Sequence, residues 1–260
     1  TGIAAGHRSI EHFGRVTQAC STAESAMIAA NARALGSAEP LPSLMAVMAG
    51  HNKTTRESWD AELCARVARQ LAEANVAAMP SLMVSDFYLG KDPAPDDPRL
   101  LSVPKQVRAQ WGQGDWRRRQ MSASMLAEAP LSVALDWKTF KLMHGAGVAM
   151  LAGTDAAYAN PFLFHGYTLH DELERYVAAG LTPQQALLTA TVNPARFLRK
   201  DEQKSLIAEG QRADLVLLDA NPLVDIGAVR RIRAVIANGR LFDRSSLDAL
   251  RQDVEAKAAQ

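Results

Sequence analysis

One carboxylate in this sequence follows directly on a short apolar run. Residues 148–152 are all apolar, and the run stops at Gly153-Thr154-Asp155. A run of this length is typical of a buried strand. The carboxyl end of a buried parallel strand is where α/β enzymes place their chemistry. Asp155 therefore lies where a catalytic carboxylate could act. The alternative is an Asp that turns the chain or caps a helix.

Other candidate site residues lie in comparable places. Residues 8–12 are predicted to form a strand that ends on His12. Its imidazole would lie at a strand end, as the carboxylate of Asp155 does, and the alternative is a His that is satisfied within the core. Tyr158 and His165 lie in the loop after Asp155. Because such loops line the mouths of barrels, both are candidates for contact with a substrate.

The elements that would position these residues alternate between helices and short apolar strands. Residues 76–84 are predicted as a buried strand that Pro80 interrupts. A long polar loop is predicted over 86–104, and Thr182 is predicted to cap a helix as part of a capping box with Gln185. The main predicted helices are 22–35, 58–74, 115–128, 136–144, 169–179 and 246–258. This alternation is typical of an α/β fold with a parallel sheet.

From residue 204 onward the pattern changes to strands. Residues 213–218 are apolar apart from Asp214, and Asn238-Gly239 separates 233–237 from 240–242. This dipeptide is a strong signal for a β-hairpin. The last part of the chain is therefore predicted to be a small appended β unit followed by a terminal helix.

The composition excludes several classes of partner. The 260 residues are 48% apolar and 22% charged, and 29 Lys and Arg against 28 Asp and Glu leave a net charge of +1. The chain has no surplus of basic residues, so its charge does not indicate binding to nucleic acid or to an anionic membrane. Cys20 and Cys64 are expected to be buried free thiols, since no Cys-x-x-Cys pair is present. The first residue is Thr1, so we expect a processed, cut or truncated start. No apolar run approaches the roughly 20 residues of a membrane-spanning helix, so we expect a soluble protein, either cytoplasmic or periplasmic or secreted.

The number of strands is too small for a closed barrel. Three stretches before residue 155 have α/β strand character, and 44–48 is a further candidate. An eight-stranded barrel needs eight strands and about 250 residues. We therefore expect the later part of a larger fold, whose exposed edges associate with a missing N-terminal half or with another copy.

Several sequence words together resemble the amidohydrolase superfamily, in particular the imidazolonepropionase-like and Xaa-Pro dipeptidase-like enzymes. These words are residues 8–12, 78–82, 152–156, 170–173, 179–183, 190–195, 209–218, 221–226 and 235–239. The resemblance implies a (β/α)₈ TIM-type barrel, with about strands six to eight in residues 1–203 and insertions near 20–55 and 85–135. It also implies β-sandwich strands in 204–243 and a terminal helix in 244–260.

The resemblance further implies one or two divalent metal ions, zinc by preference, at the barrel mouth. His12 matches the family's metal-binding His on the sixth strand, and Asp155 matches the Asp on the eighth. The implied reaction is hydrolysis of a carbon–nitrogen bond in a small amide, dipeptide or cyclic amide by metal-activated water, with Asp155 as base and then acid. The family's His-x-His motif does not occur in the 260 residues. The alternative is therefore a catalytically incomplete fragment or scaffold.

Overall fold

The computed structural model describes residues 2–157, 159–199 and 207–260. The strands are β1 (Ser9–Glu11), β2 (Ala77–Met79), β3 (Leu215–Leu218), β4 (Ile232–Ala237) and β5 (Arg240–Phe242). The helices are α1 (Gly14–Ala19), α2 (Glu24–Leu35), α3 (Pro40–Met48), α4 (His51–Ser58), α5 (Ala61–Glu73), α6 (Ser85–Leu89), α7 (Lys105–Trp111), α8 (Trp116–Arg119), α9 (Ala123–Gly145), α10 (Thr168–Ala178), α11 (Pro183–Ala190), α12 (Val192–Phe197) and α13 (Arg244–Ala258). Short 3-10 turns lie at Leu82–Val84, Pro98–Ser102 and Ile226–Arg230.

The chain divides into two compact units. The first unit contains Thr1–Pro80, Ser85–Lys91 and Arg117–Met150. The second contains Ser81–Val84, Asp92–Trp116 and Leu151–Gln260.

The first unit contains a row of parallel backbone pairings. β1 pairs with β2 in parallel, with Ile10 opposite Ala78. Ala78 also forms a parallel bridge with Met150. These segments lie in the stretches predicted as strands, which are 8–12, 76–84 and 148–152. In the last of these stretches the structure has a single bridge rather than a continuous strand.

The helices α1, α4, α5 and α6 pack on α9 in the first unit. The hydroxyl of Ser122 caps α9 by accepting a hydrogen bond from the backbone N–H of Met125. The prediction of separate helices over 115–128 and 136–144 is wrong, because α9 runs continuously to Gly145 with Pro130 inside it. Pro130 has no backbone N–H to donate within the helix, and the residues buried on both sides of it keep the helix continuous. In the part of the chain that the structure describes, no helix has the length and apolar character needed to cross a membrane.

The two cysteines are joined in the first unit. Cys20 and Cys64 form a disulfide with their Cα atoms 4.3 Å apart, and both side chains are fully buried. The backbone N–H of Asp60 donates to the carbonyl of Cys20 at 2.9 Å, and the Asp60 side chain caps α5. The expectation of free thiols is therefore wrong. The two residues are 44 positions apart, and no local pattern shows that such residues meet.

The second unit contains the predicted capping box and hairpin. Thr182 and Gln185 cap α11 reciprocally, which confirms the sequence prediction. Asn238 and Gly239 have φ angles of 50° and 80° and connect β4 to β5. β3 pairs antiparallel with β4, and α13 packs on β4 and β5. The predicted hairpin and terminal helix are therefore present.

An ion-pair chain joins three segments of the second unit. Asp171 on α10 pairs with Arg99 at 3.0 Å and with Arg230. Arg99 also pairs with Asp97 at 2.7 Å, and Arg230 pairs with Glu174 at 2.9 Å. Asp171 therefore links the 3-10 turns at Pro98–Ser102 and Ile226–Arg230 to α10.

Candidate functional site

Asp155 is exposed and lies three residues after the 148–152 run, in a segment without helix or strand that we call the Asp155 turn. Its φ angle is 55°, in the left-handed region that residues other than glycine rarely adopt. The side-chain amide of Asn160 donates to the backbone carbonyl of Asp155 at 2.7 Å and to its carboxylate Oδ2 at 3.0 Å. Backbone strain of this kind is concentrated at functional sites. The turn therefore holds the carboxylate in a set orientation facing solvent.

The same backbone conformation recurs after β1 and β2. His12 has a φ angle of 60° and Ser81 one of 50°. The backbone N–H of His12 donates to the carbonyl of Met79 at 2.9 Å, so the parallel pairing of the first unit extends up to this residue. His12 is exposed, whereas Ser81 is buried in the second unit. The chain thus adopts a left-handed backbone conformation at a polar residue within three positions of the end of β1, of β2 and of the 148–152 run.

His165 lies on a cleft of about 780 Å³ in the second unit. Ala156 and Ala157, which follow Asp155 directly, line the same cleft. The structure thus places the predicted substrate contact His165 on the cleft that begins one residue after Asp155. The other predicted substrate contact, Tyr158, lies outside the described residues.

Glu172 is a buried carboxylate that the sequence analysis did not single out. Its side chain is fully buried in α10, and its two oxygens accept backbone N–H groups from Leu82 at 2.6 Å and Met83 at 2.8 Å. Burial raises the pKa of Glu172 to about 7, and hydrogen bonds from Met83, Leu82 and Tyr176 and the charge of Arg175 oppose that rise. This carboxyl group therefore changes its charge close to neutral pH.

Tyr176 lies one turn further along α10 and is also buried. Its hydroxyl donates to the carbonyl of Leu151 at 3.0 Å and shares a side-chain hydrogen bond with Glu172. Burial, followed by the neighbouring Glu172, raises the pKa of Tyr176 well above its usual value, so the phenol keeps its proton at neutral pH. Glu172 and Tyr176 therefore tie the turn at Leu82–Val84 to the segment that leads into Asp155.

A sequence signal for this pair exists in the spacing of α10. Thr168, Glu172 and Tyr176 recur every four residues and are all buried. A charged residue at a buried position of an amphipathic helix requires partners. The sequence analysis did not consider this buried face, and nothing in the sequence identifies the backbone of Leu82 and Met83 as the partners of Glu172.

The predicted metal ligands are in different units, His12 in the first and Asp155 in the second. Among residues 2–157, 159–199 and 207–260, no group of three or more His, Cys, Asp or Glu side chains is arranged to hold a metal ion. Zinc sites in enzymes use three protein ligands. The described residues therefore do not fit a complete metal centre by themselves.

Comparison with known proteins identifies relatives for part of the chain. The sequence is 34% identical over 124 residues to adenine deaminase 2 of Jannaschia sp. (strain CCS1), which covers 47% of this chain and 17% of that protein. It is 27% identical over 129 residues to imidazolonepropionase of Thermoplasma volcanium, covering 47% of this chain and 31% of that protein. The chain therefore spans less than a third of the length of these two curated relatives.

A solved structure and a family model extend this likeness. The structure of bottromycin amidohydrolase matches with a TM-score of 0.54 and 21% identity, over 75% of this chain and 45% of that chain. Solved amidohydrolase structures that resemble this chain imply a TIM-barrel type of α/β fold. The model of the amidohydrolase family matches residues 50–242, well over half of the sequence. The chain therefore belongs to the amidohydrolase family.

Proposed function

We propose that this chain supplies the Asp155 turn to a hydrolase that cleaves carbon–nitrogen bonds in small amides, dipeptides or cyclic amides. The observation that supports this most is the exposed Asp155 carboxylate, held by Asn160 in a left-handed turn after a strand-like run. Adenine deaminase and imidazolonepropionase relatives support this class of reaction at the level of the family. We also propose that residues 1–203 contain about strands six to eight of the barrel. Residues 204–243 then contain the β-sandwich strands.

In this proposal Asp155 accepts a proton from the attacking water and then donates it to the leaving nitrogen. The bond from Asn160 to Oδ2 orients the carboxylate before substrate arrives. Positioned acid–base groups of this type accelerate reactions by about 10²–10⁴-fold. Glu172 and Tyr176 position the segment before Asp155 without touching the reacting atoms.

Members of the family generally bind divalent metals. We include His12 and Asp155 as two ligands of such an ion, zinc by preference, with the remaining ligands supplied from elsewhere in the natural protein or from a partner chain. The alternative, a catalytically incomplete chain or scaffold, is favoured by one observation: the described residues form no three-donor group. The two proposals differ in whether Asp155 matters for any turnover.

The test is hydrolysis by the natural polypeptide that contains this sequence. Formation of the free amine is measured with N-acyl amino acids, dipeptides and cyclic amides as substrates. The wild type and Asp155→Asn are compared. Asp219→Asn is the matched control, because Asp219 is also exposed and its carboxylate pairs with Arg233 at the long distance of 3.8 Å. We expect activity that survives Asp219→Asn and is lost in Asp155→Asn. Turnover that is equal in both variants would exclude the role of Asp155, and turnover of no substrate would favour the scaffold.

A further inference from the structure

The cleft beside the Asp155 turn has two apolar walls in the second unit. One wall contains Val103, Trp111 and Phe164, which are 2–4% exposed, and the rings of Trp111 and Phe164 meet edge to face at 5.8 Å. The other wall is α13, where Leu250 and Val254 line the cleft and remain 51% and 48% exposed. Large apolar side chains that line a cleft yet stay half exposed indicate a place for an apolar ligand.

The size of the cleft suits a small molecule. Its volume of about 780 Å³ lies within the range of roughly 300–1,000 Å³ that is common for ligand sites. Such sites combine apolar walls with a few polar groups that orient the ligand. The polar side chains that line this cleft are those of Ser102, His165, Tyr167 and Arg251.

The charge on the cleft favours an anion. Arg251 on α13 lines it, and no described residue among those lining the cleft is an Asp or Glu. Arg251 pairs with Glu255 on the same helix at 3.6 Å, and its side chain is 57% exposed. A solvent-exposed pair of this spacing contributes little, because water already screens both charges. A ligand carboxylate can therefore replace Glu255 as the partner of Arg251.

We propose that this cleft is the specificity pocket of the enzyme and binds an apolar or aromatic amino-acid residue with a free carboxylate. The side chain lies between the aromatic wall and Leu250, and Arg251 binds the carboxylate. The substrate class is then N-acyl amino acids or dipeptides that end in such a residue. This inference rests on the proposed function, because it assumes that the bond to be cleaved lies next to Asp155, where the cleft begins.

The test measures binding, so that it is independent of turnover. N-acetyl-L-phenylalanine, its carboxamide and N-acetylglycine are titrated into the natural protein by calorimetry, with saturation-transfer NMR for weak binding. The variants are Arg251→Gln and Leu250→Glu. Arg244→Gln and Ala256→Glu are controls on exposed positions of the same helix, and circular dichroism checks that each variant is folded. Leu250→Ser replaces Leu250→Glu if the latter does not fold.

We expect the phenylalanine acid to bind more tightly than the amide at low salt, by up to about fivefold, the upper end of what an exposed charge pair contributes. Arg251→Gln should reduce this ratio to about 1, and Leu250→Glu should abolish binding of both phenylalanine probes, while the controls change neither. N-acetylglycine should not bind measurably. Equal affinity of acid and amide for the wild type, an unchanged ratio in Arg251→Gln, or no binding of either phenylalanine probe would overturn the inference. Binding without hydrolysis of any substrate would instead retain the pocket and reject the proposed function.

Discussion

Replacing Glu172 with glutamine separates two opposing effects at this buried carboxyl group. The wild-type side chain accepts N–H groups from Leu82 and Met83 with its two oxygens. A glutamine side chain offers one oxygen and one NH₂ group, so one backbone N–H loses its acceptor. The amide has no charge, however, and is free of the cost of burying an ionised carboxylate.

The two effects have different pH dependences. An unsatisfied buried N–H costs about 1–3 kcal/mol at any pH. The pKa of Glu172 is raised by burial from 4.5 to about 7. Between these values the folded state binds one proton more than the unfolded state, so the wild-type free energy of unfolding falls as pH rises. The fall is about 3 kcal/mol across the window, because one pKa unit corresponds to about 1.4 kcal/mol. Glu172→Gln lacks this fall.

The assay is urea unfolding by circular dichroism at pH 5 and pH 8, with hydrogen exchange of the Leu82 and Met83 amides as a local measure. We expect Glu172→Gln to destabilise the protein by about 2 kcal/mol at pH 5 and by clearly less, or not at all, at pH 8. Glu174→Gln is the control on the same helix, since Glu174 is 40% exposed and pairs with Arg230, and it should cost less than about 1 kcal/mol at both pH values. An equal loss in Glu172→Gln at both pH values would refute the reasoning.

Three further outcomes are expected. Asp171→Asn should lower the free energy of unfolding by about 1–2 kcal/mol, because two partly buried arginines lose a shared charged acceptor; no loss in urea unfolding would contradict the ion-pair chain. Cys20 and Cys64 should appear as one crosslinked peptide in non-reducing mass mapping, and replacing both with Ser should cost up to roughly 4 kcal/mol in the chain-entropy model; two free thiols would contradict the pairing. Val216 and Leu241, which are 57% and 61% exposed, should promote self-association, so lysine at both positions should shift size-exclusion elution toward the monomer; a monomeric wild type would contradict this.

Local signals in the sequence predicted local structure well. Thr182 with Gln185 and Asn238 with Gly239 act within four residues of chain, and the structure contains the capping box and the hairpin that they predict. The turn at Asp155 also follows from a local pattern, namely an apolar run that stops at Gly-Thr-Asp. Its left-handed backbone and its contact with Asn160 could not be read from that pattern.

Contacts between distant residues could not be predicted in this way. Glu172 accepts N–H groups about 90 residues away, and Cys20 meets Cys64 across 44 residues. Both depend on how elements pack, and a single sequence contains no signal for that packing. The continuous α9 shows a related effect, because packing of its buried face outweighs the cost of Pro130.

We propose that the Asp155 carboxylate, oriented by Asn160, takes part in hydrolysis. The most direct measurement is a double-mutant cycle on kcat/KM with Asp155→Asn, Asn160→Ala and the double variant. We predict a loss of about 10²–10⁴-fold for Asp155→Asn, a smaller loss for Asn160→Ala, and a double variant no worse than Asp155→Asn alone. Losses that multiply in the double variant, or an Asp155→Asn variant as active as the wild type, would contradict the account.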